Sequence, residues 1–318
     1  MTTAVLPASS REGVEDMKST AADALAKVIN RRIELSFPLR LIVDALSRRE
    51  RHAGVKTIVA CKALDTVVAE VSFVLMDWSD DAIVLGLRHH GEHAAILDAL
   101  TREHGRHQGL IRGATSKRLK GALEPGNLLT AHWRGRLDEH LGTFTVELSQ
   151  ARAAQFFADG LKLGVLAAAC AVAAVTLPER EKHTRAFDAL THLLDNLSHE
   201  SAILGVADYV RFEAVLLEDL CFGLDLESCA ATGFRNDLTF VSPKSGRAVS
   251  TGAAAPYRDR LFALPSFLLD EAATPSLKDL ADGLALTGFF LGRSVLEPHG
   301  VALPAARGRL VERLAAGR

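Results

Sequence analysis

The chain has 318 residues, of which 48% are hydrophobic and 24% are charged, and its formal net charge is −2. This length allows two or three domains. The near-neutral charge excludes a wholly basic protein that coats DNA, so any nucleic-acid site must be a local patch. The four cysteines form no CxxC pair and no secretory signal is evident, which together predict a reduced cytoplasmic protein.

Residues 1–75 contain no recognisable motif. Met76 is an internal methionine, and the text after it, DWSDDAIVLGL, reads as an acidic turn followed by a strand. Two interpretations stay open. Residues 1–75 are an upstream translation from a mis-assigned start codon, or they are a genuine extra domain, and the pattern after Met76 favours the first.

Between Met76 and Gln150 the pattern is that of β-strands. Five short segments are apolar, alternating or rich in strand-forming residues, and glycine or proline turns separate them. They are Ala82–Leu87, Ala94–Leu100, Gly105–Arg112, Asn127–Arg136 and Gly142–Leu148. The second segment would also fit a helix. Five strands in so short a segment predict a small closed barrel of the oligonucleotide-binding (OB) type, with an SH3-like barrel as the alternative.

From Ser149 onward apolar residues recur at spacings of three and four, which predicts helices. The segments are Ala151–Asp159, Leu161–Leu177, Lys182–Leu197, Ser201–Asp219 and Leu277–Leu296. The alanine-rich second segment is too short and too weakly apolar to span a membrane, so we expect a buried core helix.

Glycines and prolines interrupt this helical pattern between residues 221 and 265. The interruption predicts a loop-rich insert with a hairpin at Leu238–Val249. The predicted fold class is therefore α+β. An OB barrel spans residues 76–150, and a helical bundle spans residues 151–318 with the insert at about 221–265.

The stretch from Arg106 to Leu137 is strongly basic, with seven lysines and arginines against one acid, Glu124. On a small β structure these charges would form a basic face, for which a nucleic-acid backbone is a natural counter-ion. The alternative is a solvated loop between strands. Arg112 is the strongest single candidate, because it leaves a strand just before Gly113, where another backbone can approach closely. The predicted DNA contacts are Arg106, Arg112, Lys117, Arg118, Lys120, Arg134 and Arg136, with Arg88 and Arg102 as weaker candidates.

Aromatic side chains, which single-strand binders use as stacking platforms, are scarce in the predicted barrel. The barrel offers Trp78, Trp133 and Phe144. Trp133 lies between His132 and Arg134, so it would either stack on a base or belong to the barrel core. The scarcity of aromatic residues predicts that backbone charge drives binding, which suits single and double strands alike.

Five segments, taken in order, carry a resemblance to one protein family. They are Trp78–Ala114, Leu123–Asn127 (LEPGN), Leu177–Glu181 (LPERE), Arg211–Gly233 and Leu238–Ser250. The first two resemble the N-terminal OB domain of the RecO family of DNA repair and recombination proteins. The third resembles the junction between that family's first helices, and the last two resemble its central helix and insert in their alphaproteobacterial form. The resemblance covers the chain from about Met76 to the C-terminus.

This resemblance implies a role in recombinational repair. RecO-family proteins bind single- and double-stranded DNA, anneal complementary strands, and help RecA load onto DNA covered by single-stranded DNA-binding protein (SSB). They work with RecR and often with RecF, and they are not known for catalytic turnover; for this chain we predict no required cofactor. A rival interpretation is an adaptor that docks SSB or RecR without gripping DNA itself.

The insert departs from the family pattern, because many RecO proteins carry two CxxC pairs there that bind structural zinc. Here Cys229 stands at the first position, and Thr232, Ser250 and Ala253 stand at or near the other three. One thiolate cannot hold a tetrahedral zinc ion, so the sequence predicts an insert without zinc. We expect a small apolar core to stabilise it instead. Its predicted members are Phe240, Val241 and Val249.

Two further surfaces are candidates for partner binding. The acidic SSB tail, which ends in an apolar residue, would fit a groove between helices with a basic rim. The candidates are Leu161, Leu166, Phe187 and Leu190, with Arg185 or Arg211 at the rim, and ordinary core and surface positions are the stronger alternative for each. The insert is also basic and would extend the DNA path or meet an acidic tail, through Lys244, Arg247, Arg258 and Arg260.

Seven histidines in the barrel segment raise a second rival, a metal-dependent nucleic-acid enzyme. Their spacing matches no familiar catalytic signature, and we predict that they are surface residues. They are His89, His90, His93, His104, His107, His132 and His140.

Overall fold

A computed structural model describes residues 76–135 and 141–316. The expectations about residues 1–75, and about Arg136 and His140, lie outside the described residues. The described chain begins with five strands, which are β1 (Met76–His90), β2 (Ala94–Thr101), β3 (Gly105–Arg112), β4 (Leu128–Gly135) and β5 (Thr143–Gln150).

The five strands close into a barrel in the order β1-β2-β3-β5-β4, with β4 paired back to β1. Neighbouring strands are antiparallel except β3 and β5, which meet in parallel at Leu110 and Thr143. A short helix, α1 (Lys117–Ala122), connects β3 to β4. This arrangement confirms the OB fold over the SH3-like alternative, and the strand over the helix for Ala94–Leu100.

The sequence pattern does not predict helix α1, because it indicates only strands and turns in this part of the barrel. The hydroxyl of Ser116 caps the helix by accepting a hydrogen bond from the backbone N–H of Leu119 at 3.4 Å. Leu119 and Ala122 are three residues apart, so they share the inner face of the helix and pack against the barrel core. The helix therefore lies over the barrel with its charged residues outward.

The helical domain follows the barrel. Its main helices are α2 (Gly160–Thr176), α3 (Thr184–His199), α4 (Ala202–Asp219), α6 (Leu277–Phe290) and α7 (Ala305–Ala315), and a short α5 (Thr251–Ala254) lies in the insert. The helix predicted at Ala151–Asp159 is only a single 3₁₀ turn, Ala153–Phe156, and α6 continues as a π-helical turn, Leu291–Leu296. Helix α7 has no counterpart among the predicted elements.

Helix α2 is the core helix that its composition predicts. Val165, Ala168, Ala169 and Val172 are all fully buried against the neighbouring helices. Across residues 76–135 and 141–316, the helices are too short or too polar to cross a bilayer.

The insert contains a small sheet of β6 (Leu238–Val241), β7 (Ala248–Ser250) and β8 (Phe262–Ala263), in the order β7-β6-β8. The pairing of β6 with β7 confirms the predicted hairpin. Val241 is fully buried, Val249 is nearly so, and Phe240 is half-buried against the same core. Phe262 packs against Phe289 of α6, with ring centroids 4.9 Å apart, so the insert is built onto the helical domain.

The barrel and the helical domain share one apolar core. Ile83, Leu85 and Leu100 of the barrel are buried in the same cluster as the inward faces of α2, α3 and α4. Two tight turns allow this close approach. Gly126 (φ +87°) and Gly105 (φ +72°) have left-handed backbones, and an added Cβ would overlap the Leu166 side chain and the Glu181 carbonyl oxygen, respectively.

Candidate nucleic-acid interface

A groove of about 920 Å³ lies between α1 and the adjoining strands β3, β4 and β5. Ile111, Leu119, Phe144 and Val146 form its apolar floor. The hydroxyl groups of Ser116, Thr143 and Thr145 also line it. Its positively charged or protonatable lining residues are Arg112, Arg118, His132 and Arg134, and Glu147 is an acid at its edge.

The two-residue period of the strands produces this lining. In β4, Ala131 and Trp133 point into the barrel, while His132 and Arg134 point outward. In the paired strand β5, Thr145 and Thr143 lie opposite His132 and Arg134 on the same outer face. The register therefore places a polar, partly cationic stripe along the outside of a closed apolar barrel.

Four of the predicted DNA-contact residues present exposed cations around α1. Lys117, Arg118 and Lys120 lie on the outer face of the helix, and Arg112 is at the exposed end of β3. Among the described residues, no carboxylate forms an ion pair with any of the four. Such side chains can reorient toward a phosphate without breaking an existing ion pair.

Arg134 and His132 are held differently, because both contact the carboxylate of Asp77. Arg134 Nη2 lies 2.8 Å from Asp77 Oδ2, and His132 Nε2 lies 2.9 Å from Asp77 Oδ1. All three side chains keep access to solvent, with exposed fractions of 57% for Arg134, 47% for His132 and 32% for Asp77.

Arg106 is not part of the groove. Its guanidinium is largely buried and binds Asp98 through Nε and Nη2, while Nη1 donates to the carbonyl oxygen of Leu177 at 3.1 Å. Arg106 therefore connects the barrel to the helical domain. Because these contacts occupy the guanidinium, we leave Arg106 out of the proposed interface.

The two weaker candidates also lie away from the groove. Arg102 pairs with Asp188 at 2.6 Å and covers the ring of Phe187, so it too belongs to the junction with the helical domain. Arg88 is exposed and lines a separate shallow depression beside Asp98. The described candidates thus fall into three places: the groove and helix α1, the junction with the helical domain, and the depression beside Asp98.

The interpretation of Trp133 as a stacking platform is wrong, and the alternative, barrel core, is correct. Trp133 is fully buried and stacks on Trp78 with ring centroids 5.6 Å apart. Gly135 and Gly142 leave the space that its large ring fills. The described lining of the groove has no exposed phenyl or indole ring, since Phe144 is buried in the floor, and the imidazole of His132 is the exposed ring there.

The prediction that the histidines lie on the surface is wrong for His107, which is buried and meets Trp78 edge-on. His104 is half-buried, stacks on Trp78 at 4.2 Å and contacts Asp80 at 2.9 Å. His89, His90 and His93 are exposed at the end of β1 and in the next turn. Within the described ranges, no group of three or more histidine, cysteine or acidic residues could hold a metal ion.

At the zinc-motif positions of the insert, the side chains of Ser250 and Thr232 form hydrogen bonds with the sulfur atom of Cys229. Cys229 is buried, and its Sγ accepts hydrogen bonds from the backbone N–H and the hydroxyl of Ser250, both at 3.3 Å. Burial raises the pKa of the Cys229 thiol, but hydrogen bonds from Ser250 and Thr232 outweigh burial and lower that pKa to about 6. One sulfur surrounded by hydroxyl donors does not fit a tetrahedral zinc site.

The predicted groove for an acidic tail is wrong, because Leu166, Phe187 and Leu190 are buried in the core and offer no surface. The rim candidates are also engaged. Arg211 bonds the carbonyl of Phe267 and the carboxylate of Asp208, and Arg185 pairs with Glu218. A different depression, of about 390 Å³, lies between α3 and α4. Its lining includes the acidic residues Glu200, Asp208 and Glu271, whose negative charge disfavours an acidic ligand.

The basic residues of the insert are only partly available. Arg247 pairs with Asp225 at 2.9 Å, and the guanidinium of Arg258 lies 5.6 Å from the ring centroid of Phe240. Lys244 and Arg260 are exposed. The insert therefore offers fewer available cations than α1 and the groove.

Comparison with known proteins finds similarity along most of the described chain. Residues 76–152 match the family model "Recombination protein O N terminal", and residues 158–301 match "Recombination protein O C terminal". A DNA repair protein RecO from Rhodospirillum centenum is 50% identical over 240 residues, which cover 75% of this chain and 94% of the relative. The proteins of the same name from a Bradyrhizobium species (53% over 228 residues, 71% and 90% covered) and Rhodospirillum rubrum (47% over 244 residues, 76% and 97% covered) are similar to the same extent.

Proposed function

The chain belongs to the RecO family of DNA repair proteins, and from this premise we propose that it grips DNA through the cations around α1 and the groove. The protein holds single and double strands, anneals complementary strands, and acts in recombinational repair without catalytic turnover. On family grounds its partners are RecR, the SSB tail, RecF and RecA, and its place of action is the cytoplasm.

The cations of α1 and the neighbouring strand end are the observation that carries this proposal. Arg112, Lys117, Arg118 and Lys120 are exposed, close in the chain and free of ion pairs among the described residues. Each phosphate contact that such a residue makes releases condensed counter-ions from the strand, which gives affinity without reading sequence. Because the described lining offers no exposed phenyl or indole platform and only the imidazole of His132 as an exposed ring, phosphates rather than stacked bases are its main ligands. Single strands, duplexes and annealing intermediates all present phosphates, so one surface serves them all.

The test is fluorescence anisotropy of a labelled single strand, titrated with the full-length protein between about 50 and 200 mM salt. The groove variant replaces four cations by glutamine: Arg112, Lys117, Arg118 and Lys120. A control variant removes the same charge from exposed positions of the helical domain: Lys182, Arg185, Lys278 and Arg309.

We expect the wild-type protein to lose affinity steeply with salt. The groove variant should bind more weakly, and its log–log salt slope should fall by about 0.7 for each lost phosphate contact, while the control variant keeps the wild-type slope. Equal slopes for the groove variant and the wild type would mean that DNA uses another face. Absence of wild-type binding at low salt would favour an adaptor that docks its protein partners without gripping DNA.

A further inference from the structure

Asp77 lies beside the groove and holds two of its lining residues. In the antiparallel pair of β1 and β4, Asp77 lies directly opposite Arg134, and His132 is the next outward residue along β4. The inward neighbours Trp78 and Trp133 pair inside the barrel, which fixes the register and so keeps these three side chains together on the outer face.

The carboxylate of Asp77 contacts these residues as a phosphate would. One oxygen faces Arg134 Nη2 at 2.8 Å, and the other faces His132 Nε2 at 2.9 Å. A phosphate also offers oxygens to a guanidinium and an imidazole at such distances. Arg134 and His132 line the groove, whereas Asp77 does not, so a phosphate that enters the groove meets side chains that already have an anionic partner.

We infer that Asp77 limits how tightly the groove holds a strand, by competing with phosphate for Arg134 and His132. This inference rests on the proposed function of the groove. Exposed ion pairs are weak and exchange readily, so a phosphate can displace the carboxylate, and the carboxylate can in turn displace the phosphate. Arg112 and Arg118 can contact a phosphate without this competition, while Arg134 Nη2 and His132 Nε2 can do so only when Asp77 releases them. A protein that transfers its bound strand must be able to release it. A carboxylate that competes with phosphate inside the binding site lowers the affinity for the strand and so favours release.

The test is the variant Asp77→Asn, which keeps the size of the side chain and removes its charge. Asp81→Asn is the matched control. Asp81 is exposed on the same outward face of β1, lies opposite Thr130, and does not line the groove. The register places Asp81 four residues, about 13 Å, from the position of Arg134 along the strand, which exceeds the Debye length of about 8 Å at physiological salt, and two residues, about 7 Å, from that of His132.

With the same labelled single strand, Asp77→Asn should tighten binding about fivefold, which corresponds to one lost contact between opposite charges in water. Its log–log salt slope should steepen by about 0.7 for each further phosphate contact. Asp81→Asn, which removes the same charge but no contact with Arg134 or His132, should change both quantities much less. Equal effects of the two variants would overturn the inference, because only general charge would then be acting.

A second set of variants isolates the contact and does not depend on the stability of Asp77→Asn alone. In a background that carries His132→Gln and Arg134→Gln, the change Asp77→Asn should no longer tighten binding. A gain that survives in this background contradicts the competition. If the wild-type protein binds no strand, the proposed function fails; if it binds and Asp77→Asn matches it, only the inference about Asp77 fails.

Discussion

Arg307 donates through Nε and Nη2 to both carboxylate oxygens of Glu213, at 2.7 and 2.9 Å, inside the core of the helical domain. The hydroxyl groups of Tyr209 and Thr287 complete the shell of the carboxylate, each at 2.5 Å. Burying two charges is unfavourable unless hydrogen bonds satisfy both groups, and here they do. This pair fastens α7 to α4 and α6, beside the apolar contacts of Leu310.

Replacing Arg307 by methionine should therefore destabilise the fold strongly. The carboxylate of Glu213 would stay buried without its cation, which typically costs about 3–5 kcal/mol. Urea unfolding followed by circular dichroism measures this loss. Arg309→Met, at an exposed position of the same helix, should change the free energy of unfolding by less than about 0.5 kcal/mol. Similar losses in the two variants would contradict the importance of the pair.

The turn at Gly126 should tolerate no side chain. Gly126→Ala places a Cβ in a left-handed backbone and against Leu166, so we expect a loss of about 2–4 kcal/mol in the free energy of unfolding. Gly113→Ala is the matched control, because Gly113 has a similar φ of +69° and open space around it. This control should lose only about 1–2 kcal/mol of backbone strain. Equal losses would show that the contact with Leu166 does not limit the turn.

Arg106 and Arg112, at opposite ends of β3, should have separable roles. Arg106→Ala removes the cation that pairs with Asp98 and leaves only the hydrogen bond from Gln108, so the protein should lose about 1–3 kcal/mol of stability while the salt slope of DNA binding stays unchanged. Arg112→Ala should instead leave stability unchanged and lower the slope by about 0.7. Chemical unfolding and anisotropy on the same two proteins provide both readouts. A lower slope for Arg106→Ala would return Arg106 to the interface.

Cys229 should make stability depend on pH. Its pKa is lowered to about 6 in the folded protein from an ordinary value of 9.0, because hydrogen bonds from Ser250 and Thr232 favour the thiolate. An acid whose pKa is lowered on folding contributes stability that is fully present above its unfolded pKa and lost as pH falls through its folded pKa. The stability difference between wild type and Cys229→Ala, measured by urea unfolding, should therefore increase from pH 6 to pH 9. A constant difference across this range would contradict the thiolate.

The barrel is predictable from sequence because burial of one face imposes a two-residue period on each strand. In β4 the alternation alone assigns Trp133 to the interior and Arg134 to the outside. Trp133 is a candidate stacking platform in the sequence because its neighbours are basic. Its position in the strand alternation instead places it inside the barrel, as the structure shows. Helix α1 is harder to predict, since six residues are too few for a clear helical period, and only the Ser116 cap signals its start.

The junction could not be predicted, because its contacts join residues that are far apart in the chain. Arg106 has the same local surroundings as a groove cation, but its guanidinium reaches Leu177, 71 residues further on. Leu166, Phe187 and Leu190 likewise belong to ordinary helical stripes, and only tertiary packing decides which stripes are covered. Counting charges in the sequence locates the basic segment. Tertiary packing determines which of its lysines and arginines remain exposed and able to contact DNA.

The continuous core between barrel and helices has a mechanical consequence. Ile83 and Leu100 are buried among helical residues, and Gly126 brings a barrel turn into contact with α2. Within the described residues, rotation of the barrel relative to the helices would therefore disrupt the shared core. Under the proposed function, a strand in the groove would therefore keep a fixed direction relative to the helices. If the protein anneals strands as proposed, changes in their direction would come from the nucleic acid, which is flexible when single-stranded and stiff over about 50 nm when double-stranded.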